Sequence, residues 1–439
     1  MKTEPHTHTS RSDEQYQTAV LSNGIRVIVG QAPTDAVYCG VAVDSGTRDE
    51  LPHESGLAHF TEHLSFKGTP HRKAWHILNR MESVGGDLNA YTGKEETVYY
   101  CTTLLPHLER AIDLLVDITL ASTFPQTEIE KEVEVVIDEI ESAADYPSDL
   151  IYDDFESLLF EGHPLGRNIL GEADRLRGYV RGDICNYVNR QYHTSRMVLY
   201  VLGRADINKV VRYAERAIRR NTPLENPICA TRTDIPTRIP TPADLHPSAA
   251  TPSSNLGRRV VRTKDTHQAH VMIGCAGYGA LDKRHLALYL LNNILGGPGM
   301  NSRLNLALRE RNGLVYSVES TLTTYTDTSV WSIYFDCDPA DVERCLRLAR
   351  RELRRLCDAP LTDAALRAAK RQIVGQIGIS YDSHENVAIG MAKRYLHYGT
   401  MLSRDELCRR VQALTADELW QAAREVFAPE RLNVLVYRP

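Results

Sequence analysis

The 439-residue sequence predicts an α+β protein made of two homologous αβ units, each a mainly antiparallel sheet flanked by helices. Three observations point there. A chain of 49.4 kDa is too long for one ordinary core. One order of strands and helices runs through it twice. Between the two runs lies a stretch rich in proline, threonine and serine that has no apolar period, which marks a linker.

The first unit is assigned to residues 16–221. It opens over 20–29, where Asn23-Gly24 between two apolar runs signals a hairpin. A strand follows over 36–43, then a helix around residue 60, a strand over 97–104, and helices starting near Leu108 and Glu128. The unit closes with the apolar strand 197–202 and a helix over 207–219. The linker occupies 222–257. The second unit, 258–439, repeats the plan with a strand over 270–274, a helix over 284–295 and a strand over 329–335. Helices from Ala340 and Ala364 and a closing strand over 433–437 complete it.

Composition restricts the class of protein. Hydrophobic residues make up 42% and charged residues 25%, the proportions of a soluble globular chain. A net charge of -6 gives no reason to expect nucleic acid or an anionic membrane as partner. No apolar run approaches the length of a membrane span. Residues 1–15 are polar and acidic, unlike a secretory or transit signal. The nine cysteines have no C-x-x-C spacing and suit reduced thiols, so a cytoplasmic protein is expected.

The chemistry concentrates in His59-Phe60-Thr61-Glu62-His63. On a helix these spacings put His59, Glu62 and His63 on one face. Two imidazoles four apart can grip one zinc ion, and the carboxylate beside them can take a proton from its bound water. The order H-x-x-E-H is the inverted zincin signature. A catalytic zinc site needs a third protein ligand. The acidic helical stretch 127–141 offers several, and Glu132 and Glu139, two turns apart, share a face. Residue chemistry alone does not choose among these acids.

Taken together, these motifs resemble the pitrilysin-like metallopeptidases, a family that includes insulin-degrading enzymes and mitochondrial processing peptidases. The likeness extends through Phe66-Lys67-Gly68-Thr69, Gly85-Gly86-Asp87, His163-Pro164-Leu165-Gly166 and Ile169-Leu170-Gly171 into the second half. It is nearest to the short two-unit form, such as the beta subunits of the mitochondrial enzymes and their bacterial homologues. The resemblance implies that Glu139, 77 positions after Glu62, is the third zinc ligand and that Glu132 supports the site. It implies an endopeptidase in which Glu62 is the general base and the two units close like a clamshell on extended peptide. Asn89, Ala90, Tyr91 and Thr92 would form the sheet edge that receives the peptide. Arg309 and Tyr316, seven apart, match the pair that holds substrate and stabilises the oxyanion. Short family members pair to enclose a chamber, so a homodimer is expected, with a heterodimer also compatible.

The duplication supplies an internal control. The second-half counterpart of the motif helix, 285–293, has no ligand pair, and 364–381 contains no Asp or Glu. One zinc per chain is therefore expected, in the first unit. His53, His71, His76 and His163 fall in or near expected loops and are not assigned as ligands. The alternative is a non-catalytic subunit that binds peptides or partners an active sister chain.

Overall fold

Strand-forming runs whose residues are apolar on both faces require cover on both sides, and that requirement shapes each unit. The computed structural model describes residues 16–221 and 256–439. Almost all of the expected linker, and residues 1–15, lie outside the described residues.

The first sheet has six strands: β1 (Tyr16–Val20), β2 (Arg26–Gly30), β3 (Ala36–Val43), β4 (Asp87–Thr92), β5 (Thr97–Leu104) and β6 (Met197–Leu202). Their order is β1-β2-β6-β3-β5-β4. The Asn23-Gly24 hairpin is present, with Val20 opposite Arg26 and Gly24 at φ 96°. Helices along this half are α1 (Leu57–Ser65), α2 (Ala74–Glu82), α3 (Leu108–Leu120), α4 (Gln126–Ala144), α5 (Pro147–Leu159), α6 (Ala173–Leu176), α7 (Arg181–Gln191) and α8 (Ile207–Asn221).

The second sheet has β7 (Arg259–Thr263), β8 (Ala269–Tyr278), β9 (Val315–Thr324), β10 (Thr328–Cys337) and β11 (Asn433–Arg438), in the order β7-β11-β8-β10-β9. Its helices are α9 (His285–Gly296), α10 (Val342–Asp358), α11 (Asp363–Ser380), α12 (His384–Tyr398), α13 (Arg404–Ala413) and α14 (Ala416–Val426). The duplication shows in the pairing itself. β2 runs parallel to β6 as β7 does to β11, and every other neighbouring pair in both sheets is antiparallel. Without β1, the two orders superimpose strand for strand.

Division by chain half does not hold for two helices. The first compact unit comprises residues 16–140, 167–221 and 381–401; the second comprises 141–166, 256–380 and 402–439. Thus α12, from the second half, packs on β6, β3 and β2. There Ala388, Met391, Ala392, Tyr395 and Leu396 meet Ile28, Ala42, Val98 and Tyr200. Reciprocally, α5 lies on β8 and β11, where Ile151, Phe155 and Leu159 meet Met272, Leu435 and Tyr437. The boundaries 16–221 and 258–439 are therefore modified by an exchange of equivalent helices. The opposite face of the first sheet is filled by Val27, Val29 and Val41 against Phe60, Ile112, Leu115 and Val136. With both faces covered, every residue of β2 and β6 is buried.

Charge as well as apolar area holds α12 in place. Buried Arg26 donates to the carbonyls of Tyr395 and Leu396 at 2.9 and 3.0 Å, placing a cation at the negative end of the helix. His397 lies 3.1 Å from Glu96 and 3.4 Å from Asp44, and Lys393 is 2.5 Å from Glu96. Burial opposes the charge on His397, yet Asp44 and Glu96 overcome it and raise the group to about 10. Burial likewise opposes the Glu96 charge, but His397 and Lys393 bring it down to about 2.

The sign of the pH effect follows. Stability from charged His397 is complete below its unfolded value of 6.5 and drains away as pH rises toward 10. Stability from Glu96 is complete above 4.5 and is lost as pH falls toward 2. His397→Gln is expected to destabilise the protein by about 3 kcal/mol at pH 6. Denaturant unfolding at a series of pH values should show that difference shrinking steadily above pH 6.5.

Candidate metal centre

The alternation of apolar and polar residues along α1 decides which side chains reach the site. Leu57, Ala58, Phe60 and Leu64 enter the core, so His59, Glu62 and His63 emerge together on the other side. On α4, Ile129, Val133, Val136 and Ile137 enter the same core and leave Glu132 and Glu139 facing α1. His59 Nε2 is 3.7 Å and His63 Nε2 3.6 Å from Glu139 Oε2, and the two imidazole centroids are 4.6 Å apart. Among the described residues this is the one group of three or more His, Cys, Asp or Glu set for a metal ion, its donor atoms within 4.8 Å of each other.

The donor set fits zinc. Tetrahedral bonds of about 2.1 Å place neighbouring ligand atoms about 3.4 Å apart, close to the His–Glu spacings here. Two imidazole nitrogens and one carboxylate leave a fourth position open, the ligand count of a catalytic site.

Glu132 does not join the cluster. It accepts from His63 Nδ1 at 3.0 Å, which points Nε2 of that ring at Glu139, and its other oxygen meets Lys67 at 2.5 Å. Burial works against its charge, but His63 and Lys67 outweigh it and lower the group. Lys67 belongs to the Phe66-Lys67-Gly68-Thr69 block, whose sequence carries no chemical signal that this side chain holds the carboxylate behind a ligand.

Glu62 is 7% exposed and accepts from Thr92 Oγ1 at 2.8 Å. Burial raises its pKa, with Glu139 adding to the effect while Thr92 and His63 oppose it. A carboxylate so raised is a better proton acceptor near neutrality. His59 is driven to about 3, by burial first and then by His63, so it is neutral and ready to ligate. His63 is raised: burial opposes this, but Glu132, Glu62 and Glu139 prevail. A metal ion therefore competes with a proton more strongly at His63 than at an unperturbed histidine.

The remaining expected residues fall in two places. Asn89, Ala90, Tyr91 and Thr92 lie on β4, the outermost strand of the first sheet. The Ala90 amide is taken by Asn89 Oδ1 at 2.9 Å, while the Thr92 side chain is buried toward Glu62. Arg309 and Tyr316 belong to the second unit, the guanidinium 5.9 Å over the ring. Arg309 sits in a π-helical turn, Asn305–Glu310, a backbone form enriched at functional sites. Tyr316 is 81% exposed at the start of β9. His53, His71, His76 and His163 stay outside the cluster, though His76 is on α2 rather than in a loop.

Known proteins share both the fold and the sequence. Residues 26–173 match the family model described as Insulinase (Peptidase family M16), and 179–373 match the Peptidase M16 inactive domain. An uncharacterised zinc protease of Streptomyces coelicolor is 31% identical over 92% of this chain and 86% of its own. The chain belongs to peptidase family M16. Within M16 it is also 28% identical to the mitochondrial-processing peptidase subunit beta of Saccharomyces cerevisiae, over 92% of this chain and 87% of that one. The crystal structure of a protease from Helicobacter pylori matches with a TM-score of 0.85 at 23% identity, covering 97% and 99% of the two chains. The M16 inactive-domain match falls mainly on the unit in which no metal cluster is found among the described residues.

Glu132→Gln is expected to lower the His63 pKa in the metal-free protein, because its carboxylate is one of the groups holding that proton. Imidazole NMR titration reads the change. The same variant should bind zinc about 10-fold more weakly in chelator competition.

Proposed function

We propose that this M16 chain is a zinc-dependent endopeptidase that cuts extended peptides or unfolded segments in an enclosed chamber. The observation that carries this reading is Glu62, a buried carboxylate with a raised pKa beside the His59, His63 and Glu139 donors. A structural metal site has no use for such a base.

Bound zinc would acidify water and polarise the scissile carbonyl. Glu62 would take a proton from the attacking water and return it to the leaving amine. Thr92 holds one Glu62 oxygen and so directs the other. Substrate would add a strand to the free edge of β4, displacing Asn89 from the Ala90 amide. Pairing through the main chain favours broad sequence tolerance. Arg309 would hold a substrate carbonyl, and Tyr316, its hydroxyl exposed, would donate to the developing oxyanion. Two chains would pair to close the chamber. The zinc protease names of the relatives support the reaction class.

The test is a mass-spectrometric survey of unstructured peptides incubated with native protein and with Glu62→Gln. Native protein should cut, the variant should not, and both should hold one zinc per chain. Failure of both to cut while holding zinc would instead favour the peptide-binding subunit. Tyr316→Phe should lower kcat/KM about 100-fold, measured on one of the peptides cut.

A further inference from the structure

The helix that carries His59 and His63 begins without a cap of its own. Its N-cap is Gly56, at φ 80°, and glycine offers no side chain to the free amides of the first turn. Nothing larger fits there. A Cβ on Gly56 would come within 2.7 Å of the Leu170 carbonyl and 2.9 Å of Gly171 Cα. The missing acceptor comes from outside the helix. Glu50, 4% exposed, accepts from the Ala58 amide at 2.9 Å and the Gly56 amide at 3.3 Å. Arg167 anchors this segment by donating to the Glu50 and Thr47 carbonyls.

His59 is the third residue of α1 and so lies in the turn that Glu50 closes. A ligating histidine is generally fixed by a hydrogen bond from its second ring nitrogen. His63 has that support from Glu132; His59 Nδ1 is buried with no hydrogen-bond partner among the described residues. The direction of the His59 ring therefore depends on the backbone of the first turn.

We infer that Glu50 is a positioning residue for metal binding: it caps the metal helix from outside and so sets the angle at which His59 meets the ion. Burial pushes its carboxyl up to about 8, against the pull of the Ala58 and Gly56 amides and Arg167. Its two oxygens take the two amides separately, Oε1 from Ala58 and Oε2 from Gly56, and glutamine keeps an acceptor for the shorter of these bonds only. The inference rests on the zinc reading given above, and the experiment separates the two.

Zinc affinity is measured by competition with a chromophoric chelator on metal-free native protein, Glu50→Met, Glu50→Gln and Thr415→Ala. Methionine fills the same space without an acceptor. Thr415 caps α14 in the second unit, accepting from the Glu418 amide at 3.2 Å, and controls for cap loss in general. Glu50→Met is expected to bind zinc about 10- to 100-fold more weakly, and Glu50→Gln, which keeps one of the two acceptors, about three- to 10-fold more weakly. Thr415→Ala should lower the Tm and leave zinc affinity unchanged. Should Glu50→Met not fold, Glu50→Asp replaces it; its carboxylate falls one methylene short, and about fivefold weakening is expected. Native affinity in Glu50→Met, or equal losses in Glu50→Gln and Glu50→Met, overturns the inference. If native protein itself binds no zinc, the metal reading fails instead.

Discussion

Burying ionisable groups in a dry interior is tolerated only when each finds a partner, and the metal centre is organised by that constraint. His59, Glu62 and Glu132 are each at most 7% exposed, on helices whose other faces are apolar core. Thr92 accordingly turns inward to Glu62, and Lys67 folds back on Glu132. His63 is tied to Glu132 on one side and aimed at Glu139 on the other. The Nε2 atoms of the two histidines and one oxygen of Glu139 converge where a divalent cation would satisfy all three. Pre-positioning of this kind lets a site discriminate by geometry rather than by charge alone.

The same logic recurs at the back of the sheet, where Arg26, His397, Glu96 and Asp44 fix the helix whose apolar side covers it. Apolar contact there would be satisfied by several rotations of α12. A cation reaching two specified carbonyls permits one.

Much of the centre was legible in the sequence because it is local. A spacing of three and four on one helix settles that His59, Glu62 and His63 emerge together. Glu132 and Glu139 were narrowed by their two-turn separation, and family resemblance was needed to choose between them, because four core-facing apolar residues on α4 leave several acids outward. The strands 36–43, 97–104 and 197–202 were readable from their apolar runs, and all three match β3, β5 and β6 in full. The exchange of α5 and α12 was not readable. Periodicity shows that Ile151, Phe155 and Leu159 share a face, but not which of two equally apolar sheets that face meets. Glu50 is not legible for a related reason: a cap supplied from outside a helix has no fixed offset from it.

The exchanged helices bear on how the chain is made. Residues of the first sheet are all synthesised by Leu202, yet the helix that covers its second face starts at His384. At about 5–20 residues per second, roughly 10–30 s separate completion of α8 from emergence of α12. During that interval the nascent first unit carries a bare apolar face with Ile28, Ala42 and Tyr200 on it. Its survival on the ribosome then depends on whatever shields that face until translation ends.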